Sequence, residues 1–230
     1  MRGGGGEIYG IISGMKVFVV AMDCEAQCVV ANMEGAVESR QYGRRVVRGR
    51  LDGADTAVVV SGVGKGNAAA ATQFAIQSGA DTIVNVGVAG GLSVLMEIGD
   101  IYEVGSAVQY DFDISEVNKT PVGTLNERRT PYIPLSTTGR LRQAVLATGD
   151  RFCDGAEYDD LVVNELKCTL RDMEGAAIAQ VCETAGARCV SFKCVSDVRG
   201  RGSMTRQYAE NLPRCIERLA AEVPALFSYV

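Results

Sequence analysis

Residues 172–197 have the sequence Asp-Met-Glu-Gly-Ala-Ala-Ile-Ala-Gln-Val-Cys-Glu-Thr-Ala-Gly-Ala-Arg-Cys-Val-Ser-Phe-Lys-Cys-Val-Ser-Asp. The apolar spacing after the acidic start predicts a helix that ends at Gly186, and the apolar run 189–195 predicts a buried strand. Each element covers roughly 17 to 20 Å. A strand that returns to the sheet edge where the helix begins therefore brings Glu174 and Asp197 together. The stretch predicts two carboxylates in one cleft.

The chain contains no histidine among its 230 residues. This excludes Ser-His-Asp and Cys-His hydrolases, histidine-ligated zinc and the His-Glu-x-x-His metalloprotease pattern. Acid–base chemistry must come from Asp, Glu, Lys, Tyr or Cys. The eight cysteines form no Cys-x-x-Cys pair and mostly lie among apolar residues. We therefore expect free, buried thiols in a reducing cytoplasm.

The length and charge of the chain limit its organisation and its partners. A net charge of −5 without a long basic stripe argues against nucleic acid and favours a small-molecule ligand. No apolar run reaches the roughly 20 residues that span a bilayer, so we expect no membrane partner. Residues 1–14 lack signal-peptide features and are expected to form a flexible extension. One domain is predicted for 15–230.

Strand-like and helix-like segments alternate along this domain. A mainly parallel, twisted mixed sheet flanked by helices, and hence the α/β class, is the predicted architecture. An irregular loop is expected at 116–139, a short amphipathic helix at 159–167 and a final helix at about 205–229, with Pro213 and Pro224 at boundaries or kinks. The predicted strands cover 17–21, 46–51, 56–61, 82–86, 101–115, 141–148 and 189–195.

Chemically distinctive residues follow several of the predicted strand ends. Glu25 comes after the first strand, Gly87-Val-Ala-Gly-Gly91 after the strand 82–86, and Phe152 after the strand 141–148. Ligands of such sheets lie beyond the carboxyl ends of the strands. Small side chains there let a ligand contact backbone amides, and a phenyl ring can stack on a planar ligand. These residues predict one shared site.

The glycine-rich segment Ser61-Gly-Val-Gly-Lys-Gly-Asn67 does not match a nucleotide-phosphate motif. A P-loop needs glycine where Val59 stands and Ser or Thr where Gly66 stands, and the dinucleotide pattern needs glycine in place of Asn67. A tight strand-to-helix turn is the better interpretation.

Taken together, the motifs resemble those of the 5′-methylthioadenosine/S-adenosylhomocysteine nucleosidases of the nucleoside phosphorylase superfamily. The similarity covers about residues 16–200 in order. The matching segments are Ala21-Met-Asp-Cys-Glu25, Ser61-Gly-Val-Gly-Lys65, Gly87-Val-Ala-Gly-Gly91, Gly99-Asp-Ile101, Gly149-Asp-Arg-Phe152, Met173-Glu174 and Ser196-Asp-Val198.

The resemblance implies a nucleoside phosphorylase-like fold and cleavage by water of the bond between adenine and ribose. It implies that Asp197 is the general acid toward adenine N7 and that Ser196 orients it. Glu25 matches the carboxylate that activates water, and Glu174 matches the one that holds the ribose hydroxyls. This reaction separates a cationic ribose from an anionic base, so it needs an acid, a base and negative charge near the sugar.

Further substrate contacts are implied by the same resemblance. Phe152 corresponds to the ring that stacks on adenine, the backbone of Cys153 to the group at the edge of the base, and Met173 to a wall against the ribose. Met22, Val88, Ala89, Gly90 and Lys193 complete the implied substrate-binding set. No metal and no cofactor is implied. The resemblance does imply a homodimer, in which the segment 110–135 helps close the pocket of the neighbouring subunit.

The chain also departs from the family pattern. Lys193 stands where arginine is usual, which keeps the charge but loses the forked geometry. Val88 replaces a usual Ser or Thr, and the segment 116–140 is short. Three alternatives therefore stay open: another purine nucleosidase such as a futalosine hydrolase, a phosphate-dependent phosphorylase, and a non-catalytic nucleoside-binding module.

Overall fold

The computed structural model describes residues 14–125, 128–152 and 160–230. A π-helical turn covers Asp160–Glu165. The helices are α1 Asp23–Val30, α2 Lys65–Gln77, α3 Ser115–Asn118, α4 Gly175–Ala185 and α5 Met204–Tyr229. The strands are β1 Met15–Val20, β2 Glu34–Gln41, β3 Arg44–Leu51, β4 Ala54–Val60, β5 Ala80–Gly91, β6 Ile101–Gln109, β7 Ile133–Pro134, β8 Gln143–Thr148, β9 Leu170–Asp172 and β10 Arg188–Val198.

These strands form one mixed sheet that closes on itself at one end. β5 pairs with both β9 and β10, and the order β10-β6-β8-β9-β5 therefore makes a ring. From β5 the sheet continues outward through β1, β4, β3 and β2. β1 runs parallel to β4 and β5, and β5 runs parallel to β10, so the carboxyl ends of these strands meet at the same edge.

Successive side chains of the buried strands pack alternately into two apolar layers on opposite faces of the sheet. In β1, Val17 and Val19 face the layer that α2 and α4 cover, whereas Phe18 and Val20 face the layer that α1 and α5 cover. This alternation is the period-2 pattern of a strand buried on both faces. The expected α/β class, with helices on both sides of a mixed sheet, is confirmed.

The segment 172–197 folds as its sequence predicts. α4 ends at Gly186, which adopts a left-handed conformation with φ of 69°. β10 then returns beside β5 with the register Arg188↔Thr82 to Val198↔Gly91. Glycine reaches this conformation without the steric cost that other residues carry, which explains the sharp stop of the helix.

Other predicted boundaries are wrong. β5 does not end at residue 86 but runs to Gly91, and β6 ends at Gln109 rather than near 115. α5 continues through Pro213 and Pro224, so of the two alternatives predicted for these prolines, a helix boundary or a kink, the boundary is wrong. The segment 116–139 contains part of α3 and the short strand β7, and the predicted helix at 159–167 is a π-helical turn within its described part. β2 and β9 were not predicted.

Among the described residues, no helix combines the length and the apolar character that crossing a membrane requires.

Candidate active site

A cleft at the carboxyl ends of β1, β5 and β10 brings most of the predicted site residues together. Its volume is about 640 Å³, open mouth included. Ten predicted residues line it: Met22, Glu25, Val88, Ala89, Gly90, Phe152, Met173, Glu174, Ser196 and Asp197. Lys193 is placed behind the wall, and Cys153 lies outside the described residues.

Glu25 is held rigidly in the first turn of α1. Its Oε2 accepts hydrogen bonds from the backbone N–H groups of Ala21 and Met22, both at 3.1 Å. Its Oε1 accepts from the N–H of Val88 at 3.0 Å. Burial raises the pKa of Glu25, while Lys193 and these backbone donors act in the opposite direction. The side chain is 4% exposed. A fixed carboxylate in a dry environment is suited to act as a base.

The glycines at the end of β5 make room for two of the carboxylates. A Cβ atom on Gly87 would collide with Oε1 of Glu25, and one on Gly90 would lie 2.8 Å from Oδ2 of Asp197. These glycines lie within β5 rather than in a loop after it, and Gly90 also lines the cleft. The absence of side chains lets Glu25 and Asp197 lie directly against the sheet.

Glu174 closes the glycine-rich turn before α2. Its Oε1 accepts a hydrogen bond of 2.8 Å from the N–H of Gly64, a residue with φ of 100°. Burial, and then the charge of Asp172, raise the pKa of Glu174 to about 7, whereas Lys193 opposes this rise. The tight-turn interpretation of the segment 61–67 is consistent with this contact. The N–H group of Gly64, of the kind that a phosphate-binding loop would donate to its ligand, is thus bonded to the carboxylate of Glu174.

Asp172 was quoted in the sequence stretch but was not predicted as a site residue. Its Oδ1 accepts from the hydroxyl of Thr148 at 2.6 Å, and its Oδ2 accepts from the N–H of Gly175 at 2.9 Å. Nζ of Lys193 lies 2.9 Å from the same Oδ2, and both side chains are almost completely buried. The available signal was its position in the sequence, directly before Met173-Glu174.

Lys193 supports the cleft from behind. Burial by itself lowers the pKa of Lys193, but the carboxylates of Asp172, Glu25 and Glu174 outweigh this effect and raise it. The ammonium therefore stays charged and partly neutralises three acidic groups. Its ammonium group pairs with Asp172, and Lys193 does not line the cleft.

Asp197 lies near the carboxyl end of β10 and lines the cleft. It is 2% exposed, and its Oδ1 accepts a hydrogen bond of 2.6 Å from the hydroxyl of Ser196. The hydroxyl of Ser196 also lies 3.4 Å from the carbonyl oxygen of Ala89. Ser196 thus fixes the orientation of the Asp197 carboxyl group, as the resemblance implied.

The mouth of the cleft is aromatic. Phe152 is 48% exposed, and its ring makes an edge contact with Tyr208 at a centroid distance of 5.6 Å. The hydroxyl of Tyr208 lies 3.3 Å from the sulfur of Met22. Tyr208 and Met204 come from α5 and were not predicted as site residues. Arg151, Arg171, Asp172 and Val63 were likewise missed, and all of these residues line the cleft.

The cleft contains four carboxylates, and the three predicted ones lie in different environments. Glu25 is fixed by backbone donors, Glu174 has a raised pKa of about 7, and Asp197 is oriented by a hydroxyl. No group of three or more metal-ligating side chains is found in the part of the chain that the structure describes. The arrangement can supply an acid, a base and negative charge to a ligand between β5, β10 and α4.

Comparison with known proteins places the chain in a family. The model of the Phosphorylase superfamily matches residues 8–228. The 5′-methylthioadenosine/S-adenosylhomocysteine nucleosidase of Shewanella halifaxensis is 31% identical over 199 residues, which cover 80% of this chain and 86% of that protein. The nucleosidase of the same description from Shewanella putrefaciens is 30% identical with the same coverage.

Solved structures have the same fold. The Helicobacter pylori 5′-methylthioadenosine/S-adenosylhomocysteine nucleosidase with butyl-thio-DADMe-Immucillin-A has a TM-score of 0.87 at 22% identity, covering 95% of this chain and 100% of that one. The futalosine hydrolase of Helicobacter pylori has a TM-score of 0.86 at 22% identity, covering 94% and 98%. The chain therefore belongs to the 5′-methylthioadenosine/S-adenosylhomocysteine nucleosidase family of the phosphorylase superfamily.

Proposed function

We propose that this protein hydrolyses the N-glycosidic bond of a 5′-modified adenosine, such as 5′-methylthioadenosine or S-adenosylhomocysteine, and releases adenine. The observation that carries the proposal is the meeting of Glu25, Glu174 and Asp197 in one cleft. The names of the Shewanella relatives support the same substrate class.

The leaving base requires an acid, and Asp197 supplies it. The C1′–N9 bond breaks with its electron pair moving into the purine, and the proton of the Asp197 carboxyl group passes to N7. Ser196 holds the other carboxyl oxygen through its 2.6 Å hydrogen bond, which keeps the donor aimed at the base. A positioned acid of this kind contributes roughly 10²- to 10⁴-fold to rate.

The attacking water requires a base, and Glu25 supplies it. Its carboxylate is fixed by the N–H groups of Ala21, Met22 and Val88, so the water meets a preorganised acceptor. One proton of the water passes to Glu25, and the oxygen bonds to C1′. The products are adenine and the 5′-modified ribose, which together contain the atoms of nucleoside plus water.

Glu174 completes the reaction site near the sugar. Its ionised form accepts hydrogen bonds from ribose hydroxyls and stabilises the positive charge that develops on the ring. With a pKa of about 7, Glu174 is only partly ionised at neutral pH. The cation of Lys193 lowers this pKa and so increases the ionised fraction.

Water is favoured over phosphate as the nucleophile. The N–H of Gly64 is bonded to Glu174, and the N–H of Lys65 is bonded to Oδ1 of Asp150 at 2.7 Å. The start of α2 is thus occupied by carboxylates that repel an anion. A phosphorylase would need this region, or an equivalent one, to attract phosphate.

A nucleoside panel tests the proposal. Chromatographic detection of free base is expected to show adenine released from 5′-methylthioadenosine or S-adenosylhomocysteine, at the same rate with and without phosphate. Futalosine belongs in the panel because one solved structure with the same fold is a futalosine hydrolase. A strict phosphate requirement would establish a phosphorylase instead, and binding without base release would establish a nucleoside-binding module.

We also propose a homodimer in the cytoplasm. Large apolar side chains are exposed at Val117, in the segment 110–135, which is 81% exposed, and at Leu95, before β6, which is 84% exposed. The described cysteines are all free, which suits a reducing compartment. Analytical ultracentrifugation should give twice the mass of the chain, and a monomer at micromolar concentration would contradict the dimer.

A further inference from the structure

Three neighbouring strands place Arg171, Gly90 and Asp197 in one row. Gly90 of β5 is in register with Arg171 of β9 on one side and with Asp197 of β10 on the other. Residues in register on adjacent strands point to the same face of a sheet. All three residues line the cleft. Neighbouring strands lie about 4.8 Å apart. Arg171 and Asp197 therefore lie on either side of Gly90, which has no side chain.

Contacts above Gly90 connect the two flanking groups. Cε of Met204 and Oδ2 of Asp197 lie 3.0 and 2.8 Å from the position that a Cβ on Gly90 would take. Nη2 of Arg171 lies 3.7 Å from the sulfur of Met204. The guanidinium group therefore borders the same end of the cleft as Asp197, the acid proposed for the purine.

The chemistry of arginine determines what it can recognise there. Arg171 is 8% exposed. Its guanidinium group stays charged, carries five N–H donors and accepts nothing, so it can hold a protein partner and still donate to a ligand. On a purine, N7 and the 6-substituent share one edge. A 6-oxo group accepts from arginine, as guanine does in DNA readout, whereas a 6-amino group is a donor.

We infer that Arg171 donates to the 6-oxo group of a bound 6-oxopurine, so that the cleft accepts 6-oxopurine nucleosides as well as adenosine derivatives, whose 6-amino group makes no hydrogen bond with Arg171. The inference rests on the proposed function, because Asp197 acting at N7 sets the position of the base edge. Proton transfer to N7 by Asp197 and donation to O6 by Arg171 then stabilise the leaving purine together. Neither step needs a group outside the cleft.

Two nucleosides that differ only in the 6-substituent test this inference. The wild-type protein should release hypoxanthine from 5′-methylthioinosine and adenine from 5′-methylthioadenosine. In Arg171→Gln, kcat/KM for 5′-methylthioinosine relative to 5′-methylthioadenosine should fall by about fivefold or more, the lower end of the range for a bidentate arginine–base pair, since N7 takes the proton of Asp197 and only O6 accepts from arginine. Arg218→Gln, on an exposed turn of α5 paired with Glu222, is the matched control and should leave this ratio unchanged.

The ratio separates base recognition from a general loss of folding or catalysis. If Arg171→Gln is inactive, calorimetric binding of free hypoxanthine and free adenine gives the same comparison, and hypoxanthine should lose more affinity. An unchanged ratio, or adenine release without any hypoxanthine release by the wild type, would overturn the inference and leave the proposed function intact. Release of neither base would overturn both.

Discussion

Lys193 is a buried cation among the carboxylates of Asp172, Glu25 and Glu174, and its charge should set the acidic limb of the pH–rate profile. Lys193 lowers the pKa of Glu174, which lies at about 7. In Lys193→Met that pKa should rise further, so kcat/KM should reach its plateau only at higher pH. Removing one partner of a buried ion pair should also cost about 3 to 5 kcal/mol of unfolding free energy.

The charge-conserving variant Lys193→Arg is the control for this prediction. It should keep the acidic limb of kcat/KM near its wild-type pH, because a cation still faces the three carboxylates. Rates of adenine release between pH 5 and 9 measure the limb, and thermal denaturation measures the stability. If kcat/KM of Lys193→Met falls at the same acidic pH as that of the wild type, the proposed role of the charge is contradicted.

Gly87 provides a second test at a single residue. A methyl group there would collide with Oε1 of Glu25. Gly87→Ala should therefore displace the proposed base and lower kcat for adenine release by about tenfold or more, within the range of general-base contributions. Gly66→Ala is the control, since no atom lies within 4 Å of its Cβ position. Equal kcat values for the two variants would contradict the role given to Gly87.

Single-residue chemistry was partly predictable. The motifs around Glu25, Glu174 and Asp197 identified residues that the fold brings into one cleft. Arg171 and Asp172 were missed because they lie in β9, a strand of three residues that is too short to show a periodic pattern. Tyr208 was missed because nothing in the local sequence of α5 indicates which strand ends the helix packs against.

At the level of elements, α5 shows how tertiary packing overrides a local signal. Pro213 and Pro224 predicted helix boundaries or kinks, and the helix continues through both. The residues that anchor it are fully or almost fully buried at helical spacing and include Cys215, Leu219 and Val223. Their packing against the sheet offsets the missing backbone hydrogen bonds.

This account of α5 predicts that proline limits its stability. Pro213 is exposed, so Pro213→Ala restores a backbone donor without removing a core contact. The unfolding free energy should rise, by at most about 3 kcal/mol on the helix-interior scale. Urea denaturation measures the change, and the exposed Glu217→Ala serves as the control on the same helix. A loss of stability in Pro213→Ala would mean that the proline is required for the path of α5.

At the level of the whole molecule, the class of fold could be predicted but the closed ring of strands could not. Alternating segments indicated an α/β sheet, and the carboxyl ends of β1, β5 and β10 do meet at one edge. The ring depends on β9, which pairs with both β5 and β8. Such pairings are contacts between distant segments, and hydrophobic periodicity carries no information about them.

We propose that the fold as a whole brings three groups to one nucleoside: the acid Asp197, the base Glu25 and Glu174, which binds the ribose hydroxyls. Asp197→Asn keeps the size of the side chain but removes the transferable proton, so it tests this claim with little disturbance of packing. The direct measurement is adenine release from 5′-methylthioadenosine in phosphate-free buffer by the wild type and by Asp197→Asn. A thermal melt first shows that the two proteins have the same melting temperature. We predict release by the wild type and a loss of at least about 100-fold in the variant. Near wild-type turnover in Asp197→Asn would contradict the account.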